Sequence, residues 1–408
     1  LPSFVEQVFV ARAANPPPGV LALEDVIGAS SHWRNLPEGT MPDIALVPED
    51  DATIFYTSGT TGAPKGALGT HRSLTTNIFA MPFSNARNAL RLGEPSNSAN
   101  GNKQRITLLA VPFFHVIGSL SVLLPNMAAG GKLVLMRKFD AREALDLIAR
   151  EKITVTGGVP AVALSLLEEA NGHELSSLQL VTYGGSSSPS SLPRRIREQL
   201  GAMPGQGWGM TETSATCTTH SGQDYLNRPL SCGPALPVSR LKIMKDGLEQ
   251  PPGMAGKLWA FGPNVAKGYW NCPQATAEAF RDGWLKTGDI AMLDSEGFCT
   301  ILDRTQDMLI RGGENIYCAE VENVLTQHPH VADAALVGLP HPLLGEVPAA
   351  LVQARAGMTL SETSLREFAS ERLAPFKVPV KVHVSHAALP RNDGGKLVKH
   401  ALRKVFGT

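Results

Sequence analysis

The segment Ala52-Thr53-Ile54-Phe55-Tyr56-Thr57-Ser58-Gly59-Thr60-Thr61-Gly62-Ala63-Pro64-Lys65-Gly66 joins an apolar, β-rich run to a loop of hydroxyls and glycines. Residues 52–56 read as a strand. The ten residues that follow carry four hydroxyl side chains, three glycines and a single lysine. Hydroxyls donate to phosphate oxygens and glycine lets the backbone approach them closely, so the composition is that of a phosphate loop. It is not a Walker A loop, because Lys65 lies between Pro64 and Gly66 where that motif requires Gly-Lys followed by Ser or Thr. On composition alone, a flexible surface loop stays open as the plainer reading.

Outward from this loop, residues 52–185 alternate short β-rich runs with helical periodicity. The predicted strands are 53–57, 105–112, 132–136, 153–156 and 178–183. Over 141–151, Ala141, Ala144, Leu145, Ile148 and Ala149 share one face of a predicted helix, and the charged residues take the other. Repeated strand–helix–strand units imply parallel pairing through right-handed crossovers, with helices on both faces of the sheet. The polar stretch 87–103 reads as a surface loop. Beyond Gly222, Gly and Pro clusters at 232–237, 250–256 and 261–263 punctuate short strands, the texture of a smaller β-rich subdomain. After Ile301 it changes again, with helices predicted at 320–328 and 365–373 and strands at 331–339, 349–353 and 381–384. The expected fold is α/β: a large region 1–303, holding a parallel α/β sheet at 44–222 and a β-rich subdomain at 223–303, then a small C-terminal α+β domain at 304–408.

At 408 residues the chain has room for two or three domains of roughly 100–200 residues each. Hydrophobic residues make up 43% and charged residues 18%, too apolar a mixture for extensive disorder. Basic and acidic side chains balance at 37 each, which removes any global attraction to nucleic acid or an anionic membrane. Cys217, Cys232, Cys272, Cys299 and Cys318 are odd in number and widely spaced, with no C-x-x-C pair, and read as reduced thiols. With no apolar run near the ~20 residues that span a bilayer and no secretory leader pattern, a cytoplasmic protein without integral membrane association is expected.

A second cluster, Gly205-Gln206-Gly207-Trp208-Gly209-Met210-Thr211-Glu212-Thr213, sets an acid beside a hydroxyl in a turn of small residues. Glu212 is of the type that holds Mg²⁺ together with substrate phosphates, although Thr-Glu before a helix is also an ordinary cap. Further along stand Thr287-Gly288-Asp289, Asp303-Arg304, Arg311-Gly312-Gly313-Glu314-Asn315-Ile316 and the loop 389–396. In this order, with the phosphate loop ahead of them, these motifs resemble the adenylate-forming acyl-CoA synthetase superfamily, in its fatty-acid and hydroxycinnamate CoA ligase group. The resemblance runs from about residue 44 to the C-terminus. Family members carry a longer segment before the phosphate loop, so a chain lacking part of its first subdomain is expected.

The resemblance implies a two-step reaction: a carboxylate displaces pyrophosphate from ATP, and the acyl-adenylate then passes its acyl group to the thiol of coenzyme A. It implies that Thr57, Ser58, Gly59, Thr60, Thr61, Gly62 and Lys65 grip the outer phosphates, and that Thr211 and Glu212 serve the α-phosphate and Mg²⁺. Gly184, Gly185 and Ser186 would line an adenine slot with Gln206, Gly207 and Trp208; Asp289 would take the ribose hydroxyls, with Ile301 and Arg304 beside the nucleotide. Lys396, on a loop of small residues, would enter the cleft during adenylation, and the null for it is a surface lysine opening a terminal helix. His115 would gate the acyl pocket, against the alternative of a packed core histidine. The small domain would be mobile about 303–307, presenting Gly312 and Gly313 to the pantetheine arm, with Arg311 or Lys377 near CoA phosphates.

Two positions depart from the family pattern. Gln306 stands at a hinge position that usually holds Lys or Asp, and Cys318 stands where Pro is usual, suggesting a looser CoA loop. No acid lies between Phe113 and Asn126 to pair a substrate ammonium, which points to an acid without an α-amino group. The partners expected are a small carboxylic acid, ATP and CoA, with a homodimer compatible and nucleic acid excluded. A medium- or long-chain fatty acid is the first expectation for the substrate. The alternatives are an aromatic acid of the hydroxycinnamate or benzoate kind, an enzyme loading a carrier protein, and a nucleotide-binding protein with impaired catalysis.

Overall fold

The computed structural model describes residues 5–28, 31–32, 39–40, 42–57, 64–91, 104–391 and 397–407. The chain divides into two compact units, Leu1–Val47 and Pro48–Thr408. In the first, strands Phe9–Val10 and Leu21–Ala22 pair in parallel ahead of the helix Leu23–Ile27. The Glu24 carboxylate there accepts the Arg12 backbone N–H at 2.9 Å.

The second unit is built on a six-stranded sheet in the order Ala215–Ser221, Met203–Met210, Leu180–Gly184, Val155–Gly158, Ile106–Leu109, Lys132–Leu135. Every neighbouring pair is parallel except the first. The helix Ala141–Glu151 forms over its predicted span, started by Asp140, whose carboxylate accepts the Glu143 N–H at 3.0 Å. It buries Ala144, Leu145, Leu147 and Ile148; Ala141 and Ala149, expected on that face, stay partly exposed. Leu145 and Ile148 meet Leu166 of the helix Pro160–Glu169 and Ile196 of the helix Leu192–Leu200 in one fully buried cluster.

The strand before the phosphate loop lies elsewhere. Asp51–Tyr56 pairs antiparallel with Gly66–Thr70, which pairs in turn with Gly268–Tyr269, in a separate three-stranded sheet. Only residues 57–65 separate the first two strands, too few for the crossover of a dozen or more residues that parallel pairing needs, so they pair antiparallel. Glycine permits the close approach: a Cβ on Gly66 would lie 2.6 Å from Ile54 Cγ2, and one on Gly69 2.5 Å from Thr53 Oγ1. The expected loop 87–103 also starts later, because the helix His71–Arg91 continues through its first residues. Arg87 and Arg91 are engaged there, donating to Ala235 O at 2.9 Å and to Asp224 Oδ2 at 3.2 Å. Residues 92–103 lie outside the described residues.

A seven-stranded antiparallel sheet matches the β-rich texture, running Gly233–Pro234, Phe298–Arg304, Trp284–Leu293, Gly256–Phe261, Arg240–Lys245, Leu248–Glu249, with Phe280–Arg281 on Trp284–Leu293. Toward the C-terminus a five-stranded sheet pairs Val331–His341 with Gly345–Ala354, and Lys381–Ser385 joins the latter in parallel. The helices Cys318–Thr326 and Glu362–Ser370 bury Val321, Leu325, Leu365 and Ala369 against it. All five cysteines are free thiols, and four of them are buried. Among the described residues, no helix is long and apolar enough to cross a membrane.

His220 fastens the end of the six-stranded sheet. Its Nε2 lies 2.8 Å from the Ser231 carbonyl, so that nitrogen carries the proton, while Nδ1 has no partner among the described residues. Burial pushes its pKa from the ordinary 6.5 down to about 4. The unfolded chain therefore takes up a proton that the folded chain refuses, and stability falls as pH drops from 6.5 toward 4, by roughly 3 kcal/mol in full. Thermal melts over this range should show a steeper loss for the wild type than for His220→Asn. Equal slopes would exclude His220 as a source of acid sensitivity.

Candidate active site

The phosphate loop is closed at its base by two bonds. Thr57 N–H donates to Lys65 O at 2.8 Å, and Lys65 N–H donates to Thr57 Oγ1 at 3.3 Å. Ser58, Gly59, Thr60, Thr61 and Gly62 lie outside the described residues. Lys65 holds its ammonium 5.2 Å from the centre of the Tyr269 ring, a cation–π contact. The Tyr269 hydroxyl in turn donates to Glu212 Oε1 at 2.7 Å. Burial, and then the neighbouring Glu212, raise the Tyr269 pKa far above its ordinary value, so the hydroxyl keeps the proton it donates. One aromatic residue thus joins the lysine of the loop to the acid of the second cluster.

Glu212 belongs to a single 3₁₀ turn, Thr211–Thr213, and is 6% exposed. Its carbonyl accepts the Ala266 N–H at 2.8 Å, pinning the turn to the segment that leads to Tyr269. Among the described residues, no group of three or more His, Cys, Asp or Glu could enclose a metal. A lone carboxylate suits Mg²⁺, which takes one or two protein carboxylates and completes its shell with phosphate oxygens and water.

The strand ends bring the adenine-slot candidates together unevenly. Gly184 and Gly207 face each other in register, and a Cβ on Gly184 would lie 2.6 Å from Gly207 O, so only glycine fits there. Gly185 follows with φ +82°, and Ser186 is partly exposed beyond it. Gln206 is already engaged: its Oε1 accepts from the Tyr225 hydroxyl, which lies 2.8 Å from the Tyr183 hydroxyl. The Trp208 indole N–H donates to Asp289 Oδ2 at 2.9 Å, while Arg304 Nε lies 2.8 Å from Asp289 Oδ1. Asp289 and Arg304 are cross-strand partners, and the carboxylate is 1% exposed. Ile301 packs with Trp208 on the cluster formed by Cys232, Leu258 and Cys299.

His115 is half-buried just before the π-helix Ile117–Leu123, and its Nδ1 accepts the Ile117 N–H at 3.2 Å. Gly312 and Gly313, at φ +58° and +90°, make the exposed turn between Leu309–Arg311 and Glu314–Ile316. Lys396 lies outside the described residues. Its flanks are fixed: Arg391 and Leu397 form an isolated bridge, Arg391 pairs with Asp333 at 2.6 Å, and Lys399 lies 3.3 Å from Glu322.

The departure at position 318 ties the junction at 303–307 to the following helix. The Cys318 backbone N–H donates to Asp303 Oδ2, a bond proline could not make, and the thiol donates to Asp307 O at 3.1 Å. The looser loop expected there is replaced by an anchored one. Burial pushes Asp303 up to about 6, opposed by Lys399 and by the two backbone N–H groups it accepts. Arg311 and Lys377, considered for CoA phosphates, are occupied: Arg311 donates to Phe376 O at 2.8 Å, and Lys377 reaches both oxygens of Glu320 at 2.7 Å.

A glycine-lined strand edge, a buried carboxylate held by an indole and a guanidinium, and a lysine–tyrosine–glutamate chain at the base of the hairpin come together around the expected site. The chain belongs to the AMP-binding enzyme family, whose main profile matches residues 10–270 and whose C-terminal domain profile matches 320–396. The match thus begins ahead of residue 44, where the recognisable motifs start. By class it is an AMP-forming acid–thiol ligase, using ATP, Mg²⁺ and CoA. It is 38% identical over 359 residues to 2-succinylbenzoate–CoA ligase of Geobacillus kaustophilus, covering 88% of this chain and 70% of that one. Feruloyl-CoA synthase of Amycolatopsis is 35% identical over 369 residues, covering 90% and 72%. The o-succinylbenzoate CoA synthetase of Bacillus subtilis, solved with its acyl-adenylate intermediate, superposes with a TM-score of 0.76 at 37% identity, covering 88% and 70%. Solved with ATP and magnesium ion, it gives 0.75 at 34% identity, covering 92% and 77%.

Tyr269 was not singled out by the motifs; its only sequence signal is a glycine-aromatic step, Gly268-Tyr269-Trp270, outside the glycine-rich clusters. Replacing it by Phe removes the hydroxyl donor while keeping the ring under Lys65. Acid-dependent exchange of pyrophosphate into ATP should fall about tenfold, the usual order for a lost bond to a charged group, with the melting temperature little changed. An unaltered exchange rate and magnesium dependence would show that the Glu212 contact has no part in nucleotide handling.

Proposed function

We propose that the chain activates an aromatic carboxylic acid as its adenylate and transfers the acyl group to free coenzyme A. The observation that carries the acid class is that both relatives with aryl substrates in their names, acting on 2-succinylbenzoate and on the feruloyl group, match about nine-tenths of this chain. No such support attaches to the medium- or long-chain fatty acid expected first, and the aromatic alternative takes its place. The chain also fits an acid lacking an ammonium. The segment 113–126 is free of acids, and apolar side chains at and beside it lie against glycines: a Cβ on Gly158 would fall 3.2 Å from Val111 and one on Gly185 3.4 Å from Ile117.

In the first step a carboxylate oxygen bonds to the α-phosphorus of ATP, the bond from that phosphorus to the bridging oxygen breaks, and pyrophosphate leaves. In the second, the CoA sulfur bonds to the acyl carbon, AMP leaves with the bonding pair, and the thiol proton is released. A carboxylate cannot expel oxide, whereas the mixed anhydride expels AMP. Lys65 and the hydroxyl loop would hold the outer phosphates, Thr211 the α-phosphate, and Asp289 with Arg304 the ribose. Glu212 would hold Mg²⁺, which when bound offsets polyphosphate charge. Lys396 would meet charge developing at phosphorus, brought there by rotation of the C-terminal domain about 303–307.

With aryl acids and a medium-chain fatty acid offered to the same preparation, kcat/KM should favour an aryl acid by about tenfold or more, the discrimination a shaped apolar pocket provides. A preference for the fatty acid would overturn the acid class. Lys396→Ala should cut pyrophosphate exchange by about a hundredfold or more while sparing thioester formation from supplied acyl-adenylate. Equal loss of both steps would remove Lys396 from its role.

A further inference from the structure

The outer face of the seven-stranded sheet carries an unusual array. Strand alternation sends Ile243, Leu258, Ala260 and Leu285 into the core, each no more than 2% exposed, and turns the intervening residues to the other face. The register places Lys242, Trp259 and Lys286 in one row across three strands, and Arg240, Phe261 and Trp284 in the next. Lys242 Nζ lies 4.0 Å from the Trp284 ring centre and 5.0 Å from that of Trp259, with Lys286 Nζ 5.6 Å from Trp259. The Arg240 guanidinium lies 4.3 Å from the Phe261 ring centre and 5.8 Å from that of Trp284.

Among the described residues, the ion pairs made from this sheet are those of Arg281 with Asp282 and of Arg304 with Asp289. Among the described residues, Arg240, Lys242 and Lys286 have no carboxylate within ion-pair distance. Three cations therefore share aromatic faces without an ion-pair partner among the described residues, an arrangement whose repulsion a bound polyanion would relieve. The indoles add flat surfaces on which a base can stack.

Lys242, Trp259, Trp284 and Lys286 line a cleft of about 1180 Å³. Its lining also includes Lys65 and Tyr269, beside the phosphate loop, Asn315 and Tyr317, just past the Gly312–Gly313 turn, and the carboxylates Asp246, Glu278 and Asp282. A ligand in it would share a cleft with residues of the proposed adenylation site and of the segment implicated in thiol delivery.

We propose that this strip docks the 3′-phospho-ADP end of coenzyme A, with the adenine against Trp259 and Trp284 and the phosphates on Lys242, Lys286 and Arg240. This rests on the reading that the acceptor is free CoA. CoA is the substrate that joins a purine to several phosphates and yet must bind outside the ATP pocket, and Arg311 and Lys377 are already engaged elsewhere.

The test compares the 408-residue chain with Trp259→Ala and with the double variant Lys242→Ala/Lys286→Ala, using CoA and then pantetheine as acceptor, alongside acceptor-free pyrophosphate exchange. The KM for CoA should rise about tenfold or more, as expected for lost stacking and phosphate contacts, with pantetheine kinetics and exchange unmoved. Lys242→Arg/Lys286→Arg should restore it. Equal effects on CoA and pantetheine, or an unchanged KM for CoA, would overturn the assignment; a fall in exchange would give the strip to ATP or pyrophosphate instead. Tryptophan quenching by 3′-phospho-ADP, present in the wild type and weakened in the double variant, reads the strip without turnover. If quenching follows that pattern and no CoA thioester forms, the acceptor reading fails and the nucleotide site stands; if quenching is absent or the same in both, the site fails.

Discussion

A carboxylate on a residue with 1% of its surface exposed must find its hydrogen-bond partners inside the protein, and Asp289 is placed so that it does. Trp208 donates to one oxygen from the six-stranded sheet, and Arg304 pairs with the other from the neighbouring strand of the seven-stranded sheet. The same three residues link the two largest sheets and end where the chain enters the 303–307 junction. Removing either partner would leave a buried charge short of a hydrogen bond, a penalty larger than the net value of the bond itself. Order at the nucleotide edge and order at the junction are therefore settled together.

Much of this organisation was legible in residue patterns. The helix at 141–151 formed where its periodicity and Asp140 cap placed it, and the strands at 132–136, 178–183 and 381–384 shifted by a residue or two at most at either end. What the patterns could not convey was partner choice. Residues 51–56 look like any half-buried strand, and only the short return to Gly66–Thr70 made them half of a hairpin outside the main sheet. The helix ran past residue 87 because Arg87 and Arg91 found acceptors more than a hundred positions away, which no local window contains.

At the site, residues chosen for chemical type were found in contact when their bonds cross between strands, as with Asp289 and Arg304. Contacts made through an uncharged intermediary were not foreseen. Tyr269 contributes no charge or metal-ligand signal, yet it joins Lys65 to Glu212. Cys318 was noticed as a departure, but its effect lies in the backbone N–H that proline lacks, and the direction of that effect appeared only once Asp303 was seen opposite it. Substrate class stayed open for a related reason: an apolar lining reads alike for an alkyl chain and an aryl ring, since both demand the same residue types.

The hairpin that joins Asp51–Tyr56 to Gly66–Thr70 has a consequence for the proposed nucleotide site. Its returning strand is hydrogen-bonded to the strand of Tyr269, whose hydroxyl reaches Glu212, and Glu212 follows the strand from which Trp208 reaches Asp289, so the base of the hairpin, the acid and Asp289 belong to one frame. Such a frame works as a gauge, with its marks set by covalent turns and paired strands. On the proposed roles of Lys65, Glu212 and Asp289, it would tell nucleotides apart by reach, and a molecule one phosphoryl unit too short would leave the far mark empty however well its base were seated.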